Sequence, residues 1–90
     1  MSSQFHKQKV IEIKDHNVDW SKWLVGNDSV ASSTWAIPAD LTVVLEDLTN
    51  NIATVVVTGG TAGQKYPLQN IVMTAKGLEP VEILTLTITD

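Results

Sequence analysis

Ile52-Ala53-Thr54-Val55-Val56-Val57-Thr58-Gly59-Gly60-Thr61-Ala62-Gly63-Gln64-Lys65-Tyr66 is the stretch that decides the fold. Its first seven residues form a nearly continuous apolar run rich in β-branched side chains. Such side chains are stiff at χ1 and pack well on a pleated surface, so the run reads as a strand buried on much of both faces. The glycines that follow mark a turn or bulge needing positive φ, and Tyr66 opens another strand that runs to Ala75. The glycine stretch lacks the Gly-Lys-Ser/Thr ending of a phosphate loop and lies between strands rather than ahead of a helix.

Outward from this corner the same patterning recurs. After a break at Lys76-Gly77, residues 81–89 alternate, with Leu84, Leu86 and Ile88 facing in and Thr85, Thr87 and Thr89 facing out. Upstream, Leu41, Val43 and Leu45 read as the inward set of one strand, followed by a turn over residues 47–51. Residues 30–37 place Ala31, Ser33, Trp35 and Ile37 on one parity, and Pro38 stops that strand. Trp20, Trp23 and Leu24 stand at i, i+3 and i+4 behind Asp19 as N-cap, a single helical turn that would lay two indoles over the open end of a sandwich. Residues 10–14 read as a first short strand. Six to seven short strands with turns every 8–12 residues specify an all-β, immunoglobulin-like antiparallel β-sandwich. In that architecture Tyr66 fits a tyrosine corner, its hydroxyl returning to the backbone of the preceding turn; a plain core aromatic is the alternative.

Composition narrows the function. Ninety residues make one domain with a thin core, and the ten Thr, eleven Val and seven Ile agree with a β fold. The absence of cysteine removes disulfides, thiolate zinc sites and a cysteine nucleophile. Six lysines, no arginine and a net charge of −4 oppose nucleic-acid binding. No apolar run approaches the ~20 residues of a spanning helix, so a membrane is not an expected partner either. Lys7, Lys9 and Lys14 against Glu12 give residues 1–14 a charge of +2, whereas residues 15–90 carry −6. The expected organisation is therefore a polar, basic N-terminal arm over 1–14, including the first short strand, ahead of a sandwich over 15–90. The arm has no apolar core of a secretory signal, and its charge would guide it onto an acidic surface of a neighbouring copy.

Catalytic and cofactor chemistry finds little support. His16, beside Asp15 and three residues before Asp19, offers two or three metal ligands on a loop, with no third histidine; it reads as a solvated histidine, and His6 lies in the arm. No nucleophile elbow is present, so no enzyme, cofactor or metal is expected. Asp40, Glu46, Asp47, Asn50 and Asn51 gather at turns without EF-hand spacing and read as solvated loops. The outward positions say more. Parity leaves Val44, Ile71, Met73 and Ile83 facing away from the core. If their strands are neighbours they form one exposed apolar patch, the mark of an interface, with Lys7 and Lys9 of the arm as further contacts. Cover by the arm or a loop of the same chain is the alternative.

Five segments in order, Val18-Asp19-Trp20-Ser21-Lys22-Trp23-Leu24, Ser32-Ser33-Thr34-Trp35-Ala36-Ile37-Pro38, residues 54–63, Tyr66-Pro67-Leu68-Gln69-Asn70-Ile71-Val72-Met73-Thr74 and the closing alternating strand, resemble a family of small structural proteins of tailed bacteriophages, the fibre–tail adaptors. The resemblance covers about residues 10–90. It implies an immunoglobulin-like sandwich built into the virion after synthesis in the host cytoplasm, without a catalytic role. The expected partners are other virion structural proteins and further copies in a homo-oligomeric ring or array. Asn70 matches an asparagine of the family pattern and points inward by parity, where its amide needs partners. A capsid decoration or head–tail completion protein is the rival of the same class. A carbohydrate- or surface-binding module, with Trp20, Trp23 or Trp35 exposed as a stacking platform, is the rival of another.

Overall fold

Period-two alternation carries most of the chain into strands. The computed structural model describes residues 3–90, with side chains from Phe5 onward, as β1 (Ser3–Lys9), β2 (Lys14–Asp19), β3 (Val30–Ala36), β4 (Leu41–Thr49), β5 (Ile52–Gly59), β6 (Lys65–Thr74) and β7 (Val81–Thr89). They form a four-stranded sheet in the order β1-β7-β6-β3 and a three-stranded sheet in the order β2-β5-β4. Only β1 and β7 run parallel; the other pairings are antiparallel. This is the immunoglobulin-like sandwich expected from the strand pattern. Ala53, Val55 and Val57 of the smaller sheet and Leu68, Val72, Leu84, Leu86 and Ile88 of the larger are buried in one core. Removing such side chains from water stabilises by about 1.5–3 kcal/mol each, the main force holding the layers together.

Three polar devices fix the block. The Tyr66 hydroxyl accepts from the Thr61 N–H at 2.9 Å and donates to the Asp40 carboxylate, so the tyrosine corner is present. Gly59, Gly60 and Gly63 all have positive φ, as the turn requires. At the opposite end Asp19 accepts from the Ser21 N–H at 3.0 Å, and the N–H groups of Trp23 and Leu24 both reach the Trp20 carbonyl, closing the single turn. Only Trp20 of the two indoles enters the core. Trp23 stays 39% exposed and meets Trp20 edge to face. Asn70 is buried as expected, bonded to Trp20, Ser33 and Thr34.

Several strand expectations shift. The strand expected over 10–14 does not form: Val10 to Ile13 turn the chain, with the Glu12 N–H on the Lys9 carbonyl and the Lys9 N–H on the Glu12 carboxylate, and Lys14 opens β2. The polar residues ahead of them, read as arm, instead form β1 in register on β7. The inward set Leu41, Val43, Leu45 holds for Leu41 and for Val43, which shares the face of buried Val57 but stays 39% exposed on the edge strand, and fails at Leu45. A bulge between Val43 and Leu45 reverses the parity, leaving Leu45 56% exposed opposite Val56 and bringing Leu48 inward. A second irregularity between Val30 and Ser32 leaves Ala31 exposed. The turn read over 47–51 narrows to Asn50 and Asn51, both at positive φ (51° and 64°), the two-residue hairpin that matches strand twist. Pro67 lies on β6 beyond the last β3 partner, Gln69, where β6 pairs with β7 alone and a missing donor is tolerated.

Candidate interaction faces

Paired residues share a face, so the ladders assign the paired side chains from Phe5 onward. On the outer face of the four-stranded sheet, Ile71 faces out between Thr34 and Val81, Ile83 beside Gln69, and Met73 beside Ser32. Ile83 is 41% and Met73 45% exposed, and Ile71 is half-buried. Two shallow hollows open here. One of about 370 Å³ is lined by Ile83, Gln69 and Pro67 with the 36–38 segment, and a smaller one of about 140 Å³ lies against Ile71 and Met73. Lys7 and Lys65 both pair with Thr87, and Lys9 pairs with Thr89, so three lysines stand on the same face. Among the described residues no strand position of this face carries a carboxylate.

Val44 does not join this patch. It is the extra residue of the β4 bulge, 53% exposed, and β4 belongs to the other sheet, where it neighbours only β5. The sequence argument treated β4, β6 and β7 as adjacent, whereas the sandwich divides them between layers. The outer face of the three-stranded sheet has its own rows, Asp15–Val56–Leu45, Asn17–Thr54–Asp47 and Asp19–Ile52–Thr49. It shows three carboxylates and no lysine among the described strand positions facing out.

His16 is not a solvated loop residue. It lies on β2 at 2% exposure, sharing a parity with the buried Val18 and Trp20, a signal the sequence did contain. Gln8 fixes its tautomer. The Gln8 amide nitrogen donates to the carbonyls of Glu12 (2.8 Å) and Val57 (2.9 Å), which leaves Oε1 as acceptor for His16 Nε2–H at 2.9 Å. His16 Nδ1 must then accept, and His6 Nδ1–H donates to it at 2.7 Å. Burial, followed by the neighbouring His6, lowers the His16 pKa to about 4. This seam ties β1 to β2 and β5, closing the sandwich along one side. Asp19 faces the opposite side of β2 and caps the turn, so the His16–Asp19 pair cannot chelate a metal. Asp40 sits at the tyrosine corner and Asn51 at the other end, accepting from the Val30 N–H, so these polar turn residues do not converge.

A family profile described as podophage GP4 fiber-tail adaptor protein gp77 matches residues 8–88. The chain belongs to this adaptor family. Membership makes it a structural component of a phage tail, as the ordered segments from Val18 to the last strand suggested. Among solved structures, the solution structure of the PKD domain from KIAA 1837 protein is similar at a TM-score of 0.58 and 18% identity, over 97% of the adaptor chain and 79% of that chain. Part of a Photobacterium sp. 2,6-sialyltransferase is similar at a TM-score of 0.52 and 16% identity, over 97% of the adaptor and 18% of the enzyme. At such identities the likeness is one of fold alone. No curated protein matches the chain.

Proposed function

We propose that the protein is a non-enzymatic adaptor linking tail or neck components to fibres or adjoining structural proteins by repeated protein–protein contacts. It is made in the host cytoplasm and copied around a homo-oligomeric ring or array, where multiplicity turns weak single contacts into a firm joint. The two sheets, β1 included, supply the rigid block, and β1 brings Lys7 and Lys9 to the contact.

The observation that carries this reading is the exposed apolar row of Ile83, Ile71 and Met73 beside two hollows on a rigid sheet face. Val44 belongs to a separate contact on the other sheet. The buried functional groups serve the fold: His16 and Asn70 spend their hydrogen bonds on the sandwich. Burial of Trp20 and Trp35 removes two of the three stacking platforms a carbohydrate-binding module would need. Met73→Asp tests the reading. The variant is expected to keep the wild-type circular dichroism and lose assembly in size-exclusion chromatography with light scattering. Assembly at the wild-type mass would overturn the assignment of this face.

A further inference from the structure

The two outer faces carry opposite charge. Lys7, Lys9 and Lys65 lie on the four-stranded sheet, and Asp15, Asp19 and Asp47 on the three-stranded sheet. A chain of net charge −4 thus carries three lysines on the strands of one outer face, with Glu79 at the margin of its smaller hollow, and three aspartates on the strands of the other. On both faces the charges lie on the two strands that flank a central one, β1 and β6 beside β7, and β2 and β4 beside β5. Lys7 and Lys65 flank Thr87, one strand to either side, and Asn17 and Asp47 flank Thr54 in the same way, with Asp15 and Leu45 flanking Val56 in the next row on that face. Two strand spacings put such flanking positions roughly 10 Å apart. Each face also has apolar side chains: Ile83 and Met73 toward the end of one face away from its lysines, and Leu45 and Val56 in the row of Asp15 on the other.

We propose that the four-stranded face of one copy docks on the three-stranded face of the next, lysines over aspartates. This rests on the reading that copies of the chain contact one another. Like faces would bring lysine to lysine or aspartate to aspartate, so charge disfavours a two-fold, self-complementary pairing and selects the head-to-tail one. Such a contact repeats without using up either face, and closes into a ring when the rotation between copies allows. The molecule spans 44 × 22 Å along its two longer axes, so a face has the extent that a standard interface of ~800 Å² per partner requires.

The charge swap tests it. Lys7→Glu with Lys65→Glu makes both faces acidic, and Asp15→Lys with Asp47→Lys makes both basic. All four side chains are exposed, and circular dichroism with cooperative melting verifies that each variant folds. Sedimentation velocity is expected to show wild-type assembly that weakens about tenfold or more at high salt. Each double variant alone is expected to remain monomeric, and an equimolar mixture to reassemble to the wild-type mass with both chains incorporated. Assembly of either variant alone at that mass, or no recovery on mixing, overturns the head-to-tail contact while wild-type assembly still supports the oligomeric reading. A wild type that stays monomeric overturns both.

Discussion

The indole Nε1–H of Trp20 donates to Oδ1 of Asn70 at 2.9 Å, joining the turn after β2 to the middle of β6. The Asn70 amide nitrogen is used as well, by Ser33 Oγ at 2.9 Å and the Thr34 carbonyl at 3.2 Å on β3. One buried amide therefore holds an element from each sheet and the edge strand beside it. A donor and an acceptor so placed define one register, because a slip of β6 by one residue would turn Asn70 to solvent. Trp20 is 1% exposed and Asn70 fully buried, so neither finds water as a substitute.

Asn70→Ala should therefore cost about 2–3 kcal/mol, most of it from an indole N–H left buried without an acceptor. For a domain of this size that is a fall in melting temperature of roughly 10–20 °C. Thermal unfolding followed by tryptophan emission measures it. A double-mutant cycle with Trp20→Phe isolates the bond: the double variant should be distinctly less destabilised than the sum of the single ones. Additive losses would reduce the pair to packing.

What could be read from the residues follows a physical division. Tyr66, Asn70 and the outward placement of Ile71, Met73 and Ile83 were legible because each rests on local parity or turn chemistry. β1 was not, because its inward positions, His6 and Gln8, are polar and find partners on β2 and β5 that no local pattern announces. Leu45 and Val44 were misplaced for another reason. One bulge residue inverts every position beyond it, and the division of strands between sheets decides which outward residues can meet. The charge contrast between the faces needed that division too, since Lys7 and Lys65 are distant in sequence.

The histidine seam makes the fold sensitive to mild acid. Burial and the neighbouring His6 lower the His16 pKa from 6.5 to about 4, so the unfolded chain binds the proton more readily than the folded one. A group of this kind contributes full stability above pH 6.5 and loses it progressively as pH falls toward 4, levelling off below. The loss should amount to roughly 2–4 kcal/mol. Urea unfolding at pH 7 and pH 4.5 reads it, and His16→Gln should flatten the dependence across that window. An unchanged slope in the variant would place the titrating group elsewhere.

The tyrosine corner offers a comparison between two glycines of nearly equal backbone conformation. Gly60 has φ of 88° and Gly63 of 87°, so an L side chain is strained at either. Their surroundings differ. A Cβ at Gly60 would stand 2.9 Å from both Ile88 Cγ1 and Leu41 Cδ2 and 3.2 Å from Tyr66 Cε2, whereas at Gly63 it would meet nothing within 4 Å. Gly63→Ala should then cost about 1 kcal/mol from the backbone alone. Gly60→Ala adds overpacking, typically 1–3 kcal/mol, because Leu41 and Ile88 are buried and cannot swing away. Denaturant midpoints of the two variants measure the difference directly. Equal losses would mean that the corner gives way freely, and that Tyr66 and Asp40 do not hold its position.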